Sequence, residues 1–129
     1  MQKKQLFKSL FTLILTLFSL NLIFAVTTTW QGNIDSDWTN AANWNNGVPT
    51  AADDARVIPS ANDPEINGTN EKALSLVVRD GATLTITGAG KLTVELSTAN
   101  GVVIRDGGEI IVDDGNLNVK NATNNGIRI

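Results

Sequence analysis

Three tryptophans, Trp30, Trp38 and Trp44, follow one another at spacings of 8 and 6 residues in a segment rich in asparagine and glycine. Two kinds of chemistry suit them. Exposed indole rings stack on the apolar faces of sugars, so the three could form a carbohydrate-binding platform. Buried rings are large apolar bodies that can plug an open end of a fold. The plug is the simpler expectation, with Trp44, flanked by Asn43 and Pro49, as a buried anchor. Asn33, Asp35 and Asp37 alternate as the first ligands of a calcium loop do. Trp38 stands where that loop needs glycine, and no glutamate occupies the twelfth position, so these carboxylates are expected to be solvated turn residues. Asp53-Asp54 and Asp113-Asp114 invite the same reading. Asn67-Gly68-Thr69 and Asn121-Ala122-Thr123 match the glycosylation pattern, as chance allows in a chain this rich in Asn and Thr.

Composition excludes more chemistry than it suggests. The 129 residues include no cysteine and no histidine. A Ser-His-Asp or Cys-His nucleophile cannot form, nor can an ordinary zinc site or a disulfide. Neither cofactor nor metal is expected, and the chain is expected not to be an enzyme. Ten basic and thirteen acidic residues give a net charge of −3, and an acidic surface argues against a nucleic-acid partner.

The N-terminus is a segment apart. Lys3, Lys4 and Lys8 precede an apolar run from Leu10 to Phe24 that ends at the small residue Ala25. A basic start, a short apolar stretch and a small residue at the cut describe a secretory signal peptide over residues 1–25. The run falls short of the ~20 residues that span a bilayer, so a membrane would be met only if this segment stayed uncleaved. The expected location is outside the cell or at its surface. Removing residues 1–25 takes away all four Phe and the one Met, and leaves the three tryptophans as the only aromatic residues.

What remains reads as strands. Leu74, Leu76 and Val78, then Leu84 and Ile86, then Leu92, Val94 and Leu96 alternate at period two. Turn signals separate the runs at Asp80-Gly81, Gly88-Ala89-Gly90, Asn100-Gly101, Gly107-Gly108, Asp114-Gly115 and Asn125-Gly126. A single helical turn capped by Thr50 is expected over residues 50–55. The pattern also repeats. Asn100-Gly101-Val102-Val103-Ile104 returns as Asn125-Gly126-Ile127-Arg128-Ile129, and Val78-Arg79-Asp80-Gly81 as Ile104-Arg105-Asp106-Gly107, at offsets of 25 and 26. In this register Leu76, Val102 and Ile127 correspond, as do Val78, Ile104 and Ile129. Leu84 matches Ile110, Ile86 matches Val112, Leu92 matches Leu117 and Val94 matches Val119.

A unit of about 25 residues with three short strands cannot bury its apolar face alone, so successive units must stack. The expected fold is all-β, a right-handed parallel β-helix, with Asn100 and Asn125 stacked at one turn. An antiparallel β-sandwich is the alternative, but its hairpins do not require the repeat. The expected organisation is an irregular tryptophan-containing cap over 26–72, then coils over 73–98 and 99–123 and an incomplete coil over 124–129. Arg79-Asp80 and Arg105-Asp106 then occupy one corner in successive coils. Arginine and acid on the outside of a β-helix serve polysaccharide lyases, but exposed corner ion pairs explain them as well.

The run Trp30-Gln31-Gly32, Asp37-Trp38, Asn43-Trp44, Gly47-Val48-Pro49, Asp53-Asp54, Val57-Ile58-Pro59 and Pro64-Glu65-Ile66, followed by Ala73 to Val94, resembles the N-terminal region of large secreted bacterial β-helix proteins. These are adhesin-like or autotransporter-like surface proteins, many exported by the type IX route. It is distantly similar to the glycine-punctuated G8 module. The resemblance implies a structural or adhesive role at the cell surface, in a chain that is the N-terminal fragment of a larger protein, and it carries no catalytic residue. The alternatives are a carbohydrate-binding module using Trp30, Trp38 and Trp44, or the non-catalytic start of a β-helix polysaccharide-degrading enzyme. Expected partners are surface glycans, or a second copy met through the open C-terminal coil.

Overall fold

The computed structural model describes residues 25–95, 101–121 and 126–129. Eleven short strands lie in three parallel sheets: β1 (Thr27–Thr29), β2 (Asp54–Val57), β3 (Glu65–Ile66), β4 (Glu71–Ala73), β5 (Ser75–Val78), β6 (Thr83–Thr87), β7 (Lys91–Val94), β8 (Val102–Ile104), β9 (Glu109–Asp113), β10 (Asn116–Val119) and β11 (Ile127–Arg128). Their order is β1-β2-β5-β8-β11 in the first sheet, β3-β6-β9 in the second and β4-β7-β10 in the third. From β2 onward consecutive strands thus belong to different sheets, and each strand pairs with its equivalent one coil away. That is a parallel β-helix.

The repeat sets the register. Leu76 pairs with Val102 and Val78 with Ile104; Ile127 pairs with Val102; Leu84 pairs with Ile110 and Ile86 with Val112; Leu92 pairs with Leu117 and Val94 with Val119. These inward positions form aliphatic ladders, and Leu76, Val78, Leu84, Ile86, Leu92 and Val94 are fully buried. Burying each such side chain contributes roughly 1.5–3 kcal/mol. Thr83, Thr85 and Thr87 occupy the outward positions of β6, where a β-branched side chain fits the pleat.

The corner after β5 shows why Asp-Gly recurs. Asp80 and Gly81 both take positive φ, 59° and 82°, and Asp106 and Gly107 repeat this one coil on at 54° and 78°. Asp tolerates this region better than most residues, and Gly enters it freely. Arg79 Nε lies 2.6 Å from Asp80 Oδ2, and Arg105 Nε lies 3.9 Å from Asp106 Oδ2. These pairs lie within each corner and are solvent-exposed, which limits each to about 0–1 kcal/mol.

The ladders begin earlier than the expected boundary at residue 73. Strands β2, β3 and β4 already form a complete coil, paired to β5, β6 and β7, and β1 pairs with β2. Their strands are short and differ in spacing from the later coils, so the 25-residue repeat does not reveal them. Residues 50–55 form no helix. Asp53 N donates to Thr50 O (3.1 Å), Thr50 Oγ1 donates to Asp53 Oδ2 (2.5 Å), and the closed turn leads straight into β2. Among the described residues the one helical turn is a 3-10 turn at Ala41–Asn43. Asn100, Asn125 and the expected signal segment up to Phe24 lie outside the described residues.

Candidate functional site

The tryptophans close the first end of the solenoid. One residue beyond the Thr29–Arg56 pair, Trp30 continues the first sheet opposite Val57, with Trp30 N donating to Arg56 O at 2.9 Å. It therefore tops the Val57-Val78-Ile104 ladder. Asp37 bridges to Glu65 in parallel fashion and Trp38 N donates to Glu65 O at 3.2 Å, so Trp38 tops the Ile66-Ile86-Val112 ladder. Trp44 stands between them, edge-to-face with both, its ring centroid 5.1 Å from Trp30 and 4.6 Å from Trp38. Such pairs add about 0.5–1.5 kcal/mol beyond area burial.

Trp30 and Trp38 are fully buried and Trp44 is 4% exposed. No ring face is therefore open to a saccharide, and stacking of a sugar on Trp30, Trp38 and Trp44 would require the plug to come apart. Their polar edges are mostly satisfied from within. Trp30 Nε1 donates to Asn62 O (2.7 Å) and Ser60 Oγ (3.1 Å), and Trp44 Nε1 donates to Trp38 O (2.8 Å). Trp38 Nε1 is buried without a hydrogen-bond partner. The Trp-x-Gly spacing has a packing cause: Gly32 has φ +54°, and a Cβ there would meet Asn62 O, Ser60 Oγ and Trp30 Nε1. Only glycine lets the chain pass so close to the indole.

A buried asparagine ties this loop together. Asn43 is fully buried. Its Oδ1 accepts from Ile34 N (2.9 Å) and Asp35 N (3.3 Å). Its Nδ2 donates to Asp35 Oδ1 (2.6 Å) and Asp37 O (3.2 Å), and its carbonyl accepts from Gln31 N (2.7 Å). Asp35 also accepts from Asn40 Nδ2 (2.9 Å) and Asp37 N (3.0 Å). Donors from Asn40 and Asn43 hold the Asp35 carboxyl below its usual 3.8. The alternation of Asn33, Asp35 and Asp37 thus marks a loop that bonds to itself. Among the described residues no group of three His, Cys, Asp or Glu side chains is placed to hold a metal.

Glu71 shows the opposite electrostatics. It pairs with Leu92, at a position that the next coils fill with aliphatics. Burial, and next the charge of Asp37, push its carboxyl above the usual 4.5. Its ionised form therefore opposes folding: the carboxyl is best tolerated below pH 4.5, and that tolerance is lost as pH rises through its higher folded value.

In the last described coil the ladder positions are more exposed than in the coils before it. Ile110, Leu117 and Val119 are only partly buried, Val112 and Ile127 are 48% and 49% exposed, and Ile129 is 95% exposed. These are ladder positions with nothing stacked on them among the described residues.

Fold and site together define a class, the parallel β-solenoid module with one end plugged by tryptophan. Within that class the chain belongs to DUF8693, a domain family of unknown function whose model matches residues 29–129. The match takes in both the plug and the coils. No curated protein and no solved structure matches the chain.

Proposed function

We propose that this chain is an exported structural module, adhesin-like in role, that acts as a stiff solenoid outside the cell or at its surface and not as an enzyme. The observation that carries this reading is the junction at Ala25. The basic and apolar leader ends there, and β1 starts two residues later at Thr27. A cut after Ala25 would release a chain whose first residues enter the ladder at once, with Asp54 N donating to Val26 O at 2.8 Å. Interior ladders of Leu, Ile and Val support a mechanical role, because they leave no polar side chain to satisfy and stack like on like.

The test is mass spectrometry of the chain expressed in full in a Gram-negative host and collected outside the cytoplasm. The expected product begins at Val26. Retention in the cytoplasm with residues 1–25 intact would overturn the reading.

A further inference from the structure

An asparagine–glycine pair stands in the first coil with its chemistry unguarded. Asn67-Gly68 lies in the corner between β3 and β4, next to Ile66, whose ladder Trp38 tops. Asn67 is exposed, and among the described residues neither its side-chain amide nor Gly68 N holds a hydrogen bond. Glycine at 68 has a packing cause, because a Cβ there would come within 2.7 Å of Glu71 Oε1. The same missing side chain leaves Gly68 N free to approach the side-chain carbonyl carbon of Asn67. Asn46-Gly47 is the contrast. Asn46 Nδ2 donates to Thr27 O at 2.9 Å, so that amide must give up a bond before it can react.

We propose that Asn67-Gly68 is a self-modification site, at which the chain turns its own asparagine into isoaspartate and so loosens the tryptophan plug. Gly68 N loses its proton to solvent base and bonds to Asn67 Cγ, and the side-chain nitrogen leaves as ammonia. The product is a cyclic imide. Water then opens the ring. Attack at Cγ gives aspartate with the original backbone. Attack at the main-chain carbonyl gives isoaspartate, with the backbone rerouted through the side chain. One water enters, one ammonia leaves, and nothing is oxidised or reduced.

The corner has no slack for the second product. Isoaspartate lengthens the main chain by one methylene, about 1.5 Å. Ile66 is buried and paired with Ile86 on one side of the corner, and Glu71 is paired with Leu92 on the other. Between them Gly68 O accepts from Lys91 N at 2.7 Å. The next coil also packs directly on this backbone, since a Cβ at Gly90 would run into Ile66 O. Trp38 N donates to Glu65 O at 3.2 Å, so a shift of β3 reaches the plug at once. Either product also adds a negative charge to the corner that holds Glu71, a half-buried carboxyl that already faces the charge of Asp37.

The test is to age the full chain in warm, mildly alkaline buffer and to follow it by peptide mapping and by iodide quenching of its tryptophans. Asn67 should convert several-fold faster than Asn46, and the quenching constant should rise with the isoaspartate fraction. Asn67 is exposed, so N67Q should start with the parent's melting curve and quenching constant. Its longer side chain disfavours ring closure, and its constant should stay flat on ageing. N67D carries the charge without the extra methylene and should begin with a smaller rise than aged parent reaches. Asn67 still intact when Asn46 has converted would overturn the proposal. So would isoaspartate at 67 with unchanged quenching, or an N67Q chain that loosens as fast as the parent.

Discussion

Trp44→Ala is expected to lower the melting temperature by 15 °C or more and to loosen Trp30 and Trp38 together. The ring is the middle of the plug, edge-to-face with both neighbours. Its removal leaves a cavity of indole size, and large aromatic truncations in cores cost about 3–5 kcal/mol. Its Nε1 bond to Trp38 O goes as well, leaving a buried carbonyl with one donor fewer. In a domain of this length each kcal/mol moves the melting temperature by roughly 4–8 °C. Differential scanning calorimetry checks this directly, and an unchanged melting temperature would show that the ring is not an anchor.

Asn43→Asp should be nearly as severe, although it changes one atom. The Asn43 Nδ2 group donates to Asp35 Oδ1 at 2.6 Å and to Asp37 O at 3.2 Å. A carboxylate in that place donates nothing and sets a second negative charge against Asp35. An unpaired buried charge costs about 3–5 kcal/mol. The sign of the pH dependence identifies the cause. The new carboxyl has its folded pKa raised, so the penalty is full at pH 7 and shrinks as pH falls through that raised value. Melting temperatures at pH 7 and pH 4 should therefore differ less between variant and parent at the lower pH. An equal loss at both would mean that the asparagine acts by shape alone.

The two ends of the chain differ in how far the sequence discloses them. From Leu76 to Ile127 the strand register follows from residue spacing, because each aliphatic has an equivalent 25 or 26 residues on and those equivalents are the observed pairs. The first coil does not disclose itself in that way. Strand β3 has two residues, β4 carries Glu71 where later coils carry Leu92 and Leu117, and residues 58–64 make a longer connection than the equivalent later corners at 79–82 and 105–108. Periodicity fails where a coil is built to meet a cap. The tryptophans were recognisable as a plug or a platform from type and spacing. Their choice of ladder was not, because it depends on Trp30 and Trp38 extending two different sheets. Asn43 stood beside Trp44 in the Asn-Trp pair, yet its bonds to Ile34, Asp35 and Asp37 are tertiary and leave no periodic trace.

The central claim is that the tryptophans seal the solenoid instead of facing a ligand. Iodide quenching of intrinsic fluorescence tests it most directly, because the chain has three Trp and no Tyr and every emitter lies in the plug. The native chain should show a small quenching constant and blue-shifted emission, both unchanged by added oligosaccharides, and denaturant should raise the constant several-fold. A native constant close to the denatured one, or one that sugars reduce, would put the rings on the surface and contradict the account.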